Sequence, residues 1–165
     1  MQFIVGIKNF YGDYSDCQKL TSLDMKYPLQ FRSILGGFND EVAVIHAADY
    51  QLIPSLFEPS GMLPQEAFLS KCPVIAYKTG GLKDTVFEFN KENKNGNGIL
   101  FEDHKKKDFI MAIDRAYELY INNRQDYDKM RENAYNSVLS VEKTAVKWAN
   151  EFTRMFKDLF EEQIK

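Results

Sequence analysis

The sequence predicts an α/β fold, in which a parallel sheet is flanked by helices and followed by a helical C-terminal section. Short apolar runs alternate with helical patterns from Phe3 to Phe101, and this alternation is typical of βα units with parallel strands. From Lys106 onwards only helical periodicity remains. The 165 residues, 44% of them hydrophobic, suffice for one compact domain or a large piece of one.

The first five predicted elements are short and are bounded by helix-capping and helix-ending residues. Ser15 can cap the first helix through its side-chain oxygen, and Pro28 ends that helix. Val42 and Ile45 are expected to face the core from the second helix. In chain order these elements are a strand at Phe3–Ile7, a helix from Ser15 toward Lys26, a strand at Phe31–Leu35, a helix from Asn39 or Asp40 through Ala48, and a strand at Tyr50–Pro54.

The later elements continue the alternation and then become entirely helical. The polar, glycine-containing stretch Lys91–Asn97 predicts a mobile loop before the last strand. In chain order these elements are a helix at Met62–Lys71, a strand at Pro73–Tyr77, a short helix at Leu82–Phe89, a strand at Gly98–Phe101, and helices at Lys106–Asn122, Asp126–Leu139 and Val141–Glu162.

Charge and composition argue against several classes of function. The 21 basic and 24 acidic residues give a net charge of −3, which disfavours a nucleic-acid-binding surface. No stretch approaches the ~20 apolar residues of a membrane-spanning helix, and the N-terminal apolar run is too short for a signal peptide. Cys17 and Cys72 fit neither metal-ligand nor redox spacing, so we expect free thiols, a cytoplasmic location and no metal site.

The segment from Glu58 to Glu66 places two acids eight positions apart. Glu58 falls on a Pro/Gly loop after a predicted strand, where backbone N–H groups can face a ligand. Glu66 falls one or two turns into the next helix, on a face that can point toward the same cleft as the Glu58 loop. A second loop, Gly80-Gly81, also follows a strand and opens a helix. Because ligands of parallel sheets bind beyond the carboxyl ends of the strands, the pattern suits a site that binds a sugar nucleotide.

These motifs closely resemble the donor-binding region of retaining glycosyltransferases, and within that group the glycogen and starch synthases. The segment Phe57–Met62, FEPSGM, resembles the family's F-E-P-C-G-L, and Lys78–Val86, KTGGLKDTV, is similar to T-G-G-L-x-D-T-V. Gly37–Glu41 stands at the family's G-Y-D-E, Ala47–Asp49 at A-G-A-D, and Gly98–Phe101 at G-x-x-F. The five matches occur in the family's order, which makes the resemblance specific to the family.

The resemblance implies roles for individual residues. Glu58 is implied as the catalytic residue beside the transferred glucose, Glu66 as a contact to the nucleotide ribose, and Phe38 as the ring that stacks on the nucleobase. The residues implied to bind the sugar and the phosphates, largely through their backbone, are Ser60, Gly61, Met62, Thr79, Gly80 and Gly81. Structural interpretations stay open: Glu66 as a solvated helical residue, Gly61 as a tight turn, and Phe38 as an ordinary core residue.

The resembled enzymes have the two-domain GT-B architecture, with the active site between two Rossmann-like halves. The match falls on the C-terminal half, which implies a partial Rossmann-like nucleotide-sugar-binding domain at residues 1–140. A C-terminal amphipathic helix at 141–165 is expected to pack on this domain or on a partner domain. We expect the chain to begin one βα unit late, without the Arg/Lys pair that holds the donor's phosphates and without the acceptor-side domain.

The implied function is the donor-binding portion of a retaining glucan synthase, which uses ADP-glucose or UDP-glucose to extend α-1,4-glucan chains and is inactive as the isolated chain. The alternative is a freestanding, non-catalytic sugar-nucleotide-binding or scaffold subunit. A sugar-nucleotide epimerase would need a G-x-G-x-x-G loop, which Gly6-Ile7-Lys8-Asn9 does not provide. No cofactor is implied besides the donor substrate. A plastid-type compartment would replace the cytoplasm if a transit peptide preceded the chain.

The helix predicted at Val141–Glu162 carries a broad apolar stripe. The stripe consists of Val141, Ala145, Trp148, Phe152, Met155, Phe156 and Leu159. Without a partner domain part of this stripe would be exposed, so we expect self-association or a partner protein. The alternative is that the whole stripe packs within the domain itself.

Overall fold

The computed structural model describes residues 1–7, 14–35 and 41–163. The chain divides into two compact units, residues 1–47 and residues 48–165. Each unit is built from parallel strands and helices, which confirms the predicted α/β class with parallel sheets flanked by helices. The predicted division at residues 140 and 141 stays a prediction.

The first unit is a pair of parallel strands with two helices. Its elements are β1 (Phe3–Ile7), α1 (Tyr14–Lys26), β2 (Phe31–Leu35) and α2 (Glu41–Ala47). Asp24 at the end of α1 fixes the following strand, because its carboxylate accepts hydrogen bonds from the backbone N–H of Ser33 at 3.0 Å and from the Ser33 hydroxyl at 3.3 Å. The backbone donor in particular lowers the pKa of Asp24. Val42 is 63% exposed, so its predicted burial was wrong.

The second unit holds a sheet of three parallel strands followed by three helices. Its elements are β3 (Gln51–Ile53), α3 (Met62–Leu69), β4 (Val74–Tyr77), α4 (Leu82–Thr85), β5 (Gly98–Phe101), α5 (Lys106–Asn122), α6 (Arg124–Asn136) and α7 (Val141–Gln163). The strand order is β3-β4-β5. The α4 helix ends earlier than predicted because Val86 is extended and Glu88 forms a parallel bridge with Gly98.

An aromatic cluster joins the sheet to α5 and α6 in the core of this unit. The fully buried ring of Tyr127 packs against Tyr50 and Tyr120 at centroid distances of 5.4 and 5.0 Å. The Tyr127 hydroxyl donates to the backbone carbonyl of Asp49 at 3.0 Å, and the Tyr50 hydroxyl donates to that of Ala116 at 3.1 Å. Each ring therefore satisfies its polar atom while burying its apolar surface.

The polar loop before β5 is anchored rather than free. The side-chain amide of Asn133 donates to the carbonyls of Lys94 at 2.7 Å and Gly96 at 2.9 Å. The ammonium of Lys94 pairs with the buried carboxylate of Asp126 at 2.7 Å. The carboxamide of Asn90 accepts from two backbone N–H groups within the loop. The contacts of Asn133 and Asp126 come from α6, far along the chain, so the local pattern that predicted a mobile loop did not contain them.

The apolar stripe of α7 is not covered by the described residues. Every residue from Val141 to Phe160 is exposed, including Trp148 and Phe152, whose rings lie 5.4 Å apart. The expectation of self-association or of a partner protein for the stripe stays a prediction.

Both cysteines are free and buried, and burial raises the pKa of the Cys72 thiol to about 12. The described helices include none that is long and apolar enough to cross a membrane. Among the same residues there is no cluster of three or more His, Cys, Asp or Glu side chains that could hold a metal ion.

Candidate functional site

Two glycine-containing loops lie together at the carboxyl ends of β3 and β4. The loop at residues 58–61 comes after β3, and the turn at residues 79–81 begins two residues after the last residue of β4. The two strands pair in parallel, with Ile53 opposite Ala76. The loops therefore leave the same edge of the sheet, where parallel α/β sheets bind their ligands.

The two loops are held together through their backbones. The N–H of Gly81 donates to the carbonyl of Glu58 at 2.8 Å, and the Thr85 hydroxyl donates to the carbonyl of Gly81 at 2.9 Å. Gly61 precedes α3 in the left-handed conformation, with φ of 65°. A Cβ atom on Gly61 would lie 2.7 Å from the Gly81 carbonyl oxygen. The contact therefore needs glycine for both its backbone angle and its closeness.

Gly80 is still more tightly confined. It has a φ of +43°, and a Cβ atom there would lie 2.1 Å from the carbonyl oxygen of Glu58. That distance is far below van der Waals contact, and the obstacle is backbone rather than a movable side chain. Gly80 and Glu58 therefore fix each other's position.

The side chain of Glu58 is half-buried at the junction of the two loops. One of its carboxylate oxygens lies 3.5 Å from the hydroxyl of Ser60, which donates to it. No cation among the described residues forms an ion pair with Glu58. Its carboxylate therefore keeps acceptor capacity for hydroxyl groups of a ligand.

The α3 helix supplies a second set of polar groups after the first loop. The backbone N–H groups of its first turn, from Met62 onwards, have no partner within the helix, and the helix dipole makes this end favourable for negative charge. Pro64 lies in this first turn, where its missing N–H costs no intrahelical hydrogen bond. Glu66 is exposed one turn after Met62, so the two residues share a helix face.

Two further polar residues, Lys78 and His104, lie after β4 and β5 and outside the predicted site. The ammonium of Lys78 donates to the carboxylate of Glu102 at 2.5 Å and lowers the pKa of that carboxyl group. The Nε2 atom of His104 lies 2.9 Å from the carbonyl oxygen of Pro54, and its ring packs edge-on against Tyr77 at 4.8 Å. Lys78 directly follows a predicted strand and His104 comes three residues after one, and these positions were the signal that could have identified them.

The structure brings most of the predicted site residues to one place. The loop contacts unite Glu58, Ser60, Gly61, Gly80 and Gly81. The carbonyl of Thr79 accepts from the N–H of Leu82 at 3.0 Å and closes the second turn. Met62 and Glu66 follow on α3. Phe38 lies outside the described residues, and the roles of all nine residues stay predictions.

Comparisons with known proteins agree on one family. The family model described as glycosyl transferases group 1 matches residues 3–137. A glycogen synthase of Finegoldia magna is 34% identical over 155 residues, covering 93% of this chain and 31% of the relative. A glycogen synthase of Desulfitobacterium hafniense is 32% identical over 147 residues, covering 88% of this chain and 31% of the relative. The chain therefore spans less than a third of the length of these relatives.

Solved structures show the same fold at lower sequence identity. The catalytic domain of starch synthase IV from Arabidopsis thaliana, bound to ADP and acarbose, superposes with a TM-score of 0.75 at 24% identity. The match covers 93% of this chain and 32% of that structure. Anabaena Alr3699/HepE in complex with UDP and glucose superposes with a TM-score of 0.68 at 20% identity, over 92% of this chain and 40% of that structure.

Proposed function

This chain belongs to the family of glycosyl transferases group 1, as the motif resemblance predicted, and from that premise we propose that it is the donor-binding portion of a retaining glucan synthase. The donor is ADP-glucose or UDP-glucose, and the whole enzyme extends α-1,4-glucan chains. The observation that carries this proposal is the junction of the two glycine loops, which holds Glu58 at the carboxyl edge of the sheet.

The proposed chemistry assigns each group at the junction to one part of the donor. Glu58 accepts hydrogen bonds from glucose hydroxyls and supports the reacting face of the sugar. The backbone N–H groups of Gly61 and Met62 face the diphosphate, whose negative charge grows as the glycosidic bond to the leaving group breaks. Glu66 bonds the ribose hydroxyls, and Phe38 stacks on the base.

The ligands of structurally similar proteins support a nucleotide-sugar donor but do not separate the two bases. ADP occupies the starch synthase IV structure, and UDP with glucose occupies the Alr3699/HepE structure. Stacking on Phe38 would accept either base, since both present an aromatic face. The choice between ADP-glucose and UDP-glucose therefore needs a direct titration.

Replacing Glu58 and Glu66 separately with glutamine tests the two assigned roles. We expect Glu58→Gln to weaken binding of the glucose nucleotide by about tenfold or more, because it removes charge-assisted hydrogen bonds to the sugar, while leaving the free nucleoside diphosphate unaffected. Glu66→Gln should weaken both ligands equally, because the ribose is common to them. Calorimetric titration of the 165-residue chain with ADP-glucose, ADP, UDP-glucose and UDP measures all four affinities.

Glu118→Gln provides the matched control for these titrations. Glu118 is an exposed acid on α5, so its substitution changes the net charge by the same amount away from the junction. Equal losses for ADP and ADP-glucose in Glu58→Gln would contradict the contact to the sugar. Unchanged affinities in both site variants would contradict the proposed donor site.

The alternative is a freestanding subunit that binds a sugar nucleotide and serves as a scaffold, and the exposed stripe of α7 is compatible with both functions. The size of the endogenous polypeptide separates the two functions, because the chain itself has a mass of 19.2 kDa. An immunoblot band far above this mass supports the glucan synthase, and a band at this mass supports the subunit. The cytoplasm is the location proposed for both.

We expect the isolated chain to self-associate through the α7 stripe. Trp148 and Phe152 are both more than half exposed, and water contact with such a surface is unfavourable. Light scattering should give an average mass that rises with protein concentration, and replacing both residues with serine should restore the monomer. A concentration-independent monomer for the original chain would contradict this expectation.

A further inference from the structure

A surface groove lies near the amino ends of the strands of the three-stranded sheet, and it contains none of the proposed donor-site residues. It has a volume of about 510 Å³ and lies between the loop at residues 87–97 and the end of α6. Asn97 of this loop directly precedes β5. The groove is therefore at the amino end of a strand, whereas the glycine loops follow the carboxyl ends. The groove is shallow and open to solvent, which suits a ligand that lies along the surface.

The groove is lined mainly by uncharged amides. Six asparagines contribute to it, namely Asn90, Asn93, Asn95, Asn97, Asn133 and Asn136. Asn93, Asn95 and Asn136 are exposed, so their side-chain amides are accessible to a ligand. Each carboxamide offers both donors and an acceptor. The groove thus presents several groups able to bond hydroxyls of a ligand.

The walls of the groove are fixed before any ligand binds. Asn97 is buried, and its side chain accepts from the N–H of Phe87 at 2.8 Å and donates to the carbonyl of Thr85 at 3.0 Å. Asn133 ties the loop to α6 through its two hydrogen bonds to the backbone carbonyls of Lys94 and Gly96. Little ordering is then required on binding, which favours affinity.

An exposed aromatic ring adds an apolar surface to this polar groove. Phe87 lines the groove and is 56% exposed. Its backbone is held by Asn97, so the ring is carried on a fixed support. An aromatic ring next to amide groups suits a ligand that has both an apolar face and a polar edge.

The charges at the groove exclude other classes of ligand. Its lining contains no Lys or Arg, which disfavours an anion. Its single acid, Glu88, lies 3.4 Å from Arg115 and is already paired, which disfavours a cation. A purely apolar ligand would gain no hydrogen bond from the exposed amides of Asn95 and Asn136. A neutral ligand rich in hydroxyl groups satisfies every one of these conditions.

We propose that this groove binds a neutral oligosaccharide, with the apolar face of one sugar ring on Phe87 and its hydroxyls on the asparagine amides. The ligand class follows from the groove itself, and only the choice of an α-1,4-glucan as the first probe rests on the proposed function. A sugar chain held here lies near the amino ends of the strands, whereas Glu58 lies near their carboxyl ends. The groove would therefore anchor the chain and not position it for reaction.

Titration of the 165-residue chain with maltoheptaose, and separately with cellohexaose, tests this groove. We expect Phe87→Ala to weaken binding of whichever oligosaccharide binds by about tenfold, through loss of the stacking surface. Asn136→Ala should weaken it as well. Tyr117→Ala, which removes a half-exposed aromatic ring from α5, is the matched control and should leave the affinity unchanged. The groove's backbone hydrogen bonds remain in all three variants, so each should fold.

The outcomes separate this groove from the donor site. Oligosaccharide binding that falls in Phe87→Ala while ADP-glucose and UDP-glucose titrations stay unchanged supports the groove, whether or not either donor binds. Absence of binding for both oligosaccharides overturns it. Binding that neither Phe87→Ala nor Asn136→Ala weakens also overturns it, as would binding of pyrophosphate that Phe87→Ala abolishes.

Discussion

Replacing Gly80 with alanine is expected to lower the free energy of unfolding by about 3 kcal/mol or more. The positive φ of Gly80 is unfavourable for alanine, and the new Cβ would lie 2.1 Å from the Glu58 carbonyl oxygen. Relief of this clash must separate the two loops, because neither neighbour is a movable side chain. Donor affinity should then fall with stability, since Glu58 loses its position. Urea unfolding and calorimetric titration measure the two effects.

Two other variants identify the cause of the Gly80→Ala effect. Gly81→Ala keeps an allowed φ of −66° but places a Cβ atom 2.7 Å from the backbone nitrogen of Gly61, so it reports the steric cost alone. Ser60→Ala removes an exposed hydroxyl from the same loop and should leave the stability within about 0.5 kcal/mol. A Gly80→Ala protein as stable as Ser60→Ala would show that the loops do not depend on their close contact.

The 165-residue chain alone is expected to transfer glucose at least about a thousandfold more slowly than a whole relative, such as the glycogen synthase of Finegoldia magna. Departure of the diphosphate needs cationic groups at the phosphates, and the motif resemblance identifies no counterpart of the family's Arg/Lys pair within residues 1–165. The nearby Lys78 is already bound to Glu102. Incorporation of labelled glucose from ADP-glucose or UDP-glucose into glycogen measures the rate.

Titration of the same chain with ADP-glucose and UDP-glucose is the control for the transfer assay, because it shows whether the chain binds the donor. Binding without transfer is the expected pair of results, because the glycine loops and Glu58 are present in the chain. Transfer by this chain at a rate comparable to that of the relative would contradict the need for further cationic groups.

The fold class and the loops of the candidate site could both be predicted from the sequence. Strand–helix alternation predicted the five strands found among the described residues, and motif order placed Glu58 and Gly80 on loops that meet. Local patterns could not predict that Val42 is exposed, because the exposure of a helix face depends on what packs against it. Nor could they predict the early end of α4, which follows from the bridge between Glu88 and Gly98.

The contacts that define the site were also beyond local patterns. The 2.8 Å hydrogen bond from Gly81 to Glu58 joins residues 23 positions apart, and no propensity of either segment specifies it. The same is true of His104, which meets the carbonyl of Pro54 from 50 positions away. Such pairs depend on strand order and register, which the sequence pattern leaves open.

The backbone junction of the two glycine loops has a consequence for protein engineering. Gly61 touches the Gly81 carbonyl, and Gly80 touches the Glu58 carbonyl, so each loop is shaped by the main chain of the other. A chimera that imports residues 58–61 alone from another transferase would inherit the wrong counterpart at residues 79–81. Donor preference should therefore be exchanged between relatives by moving both segments as one cassette, together with Thr85, whose hydroxyl donates to the Gly81 carbonyl.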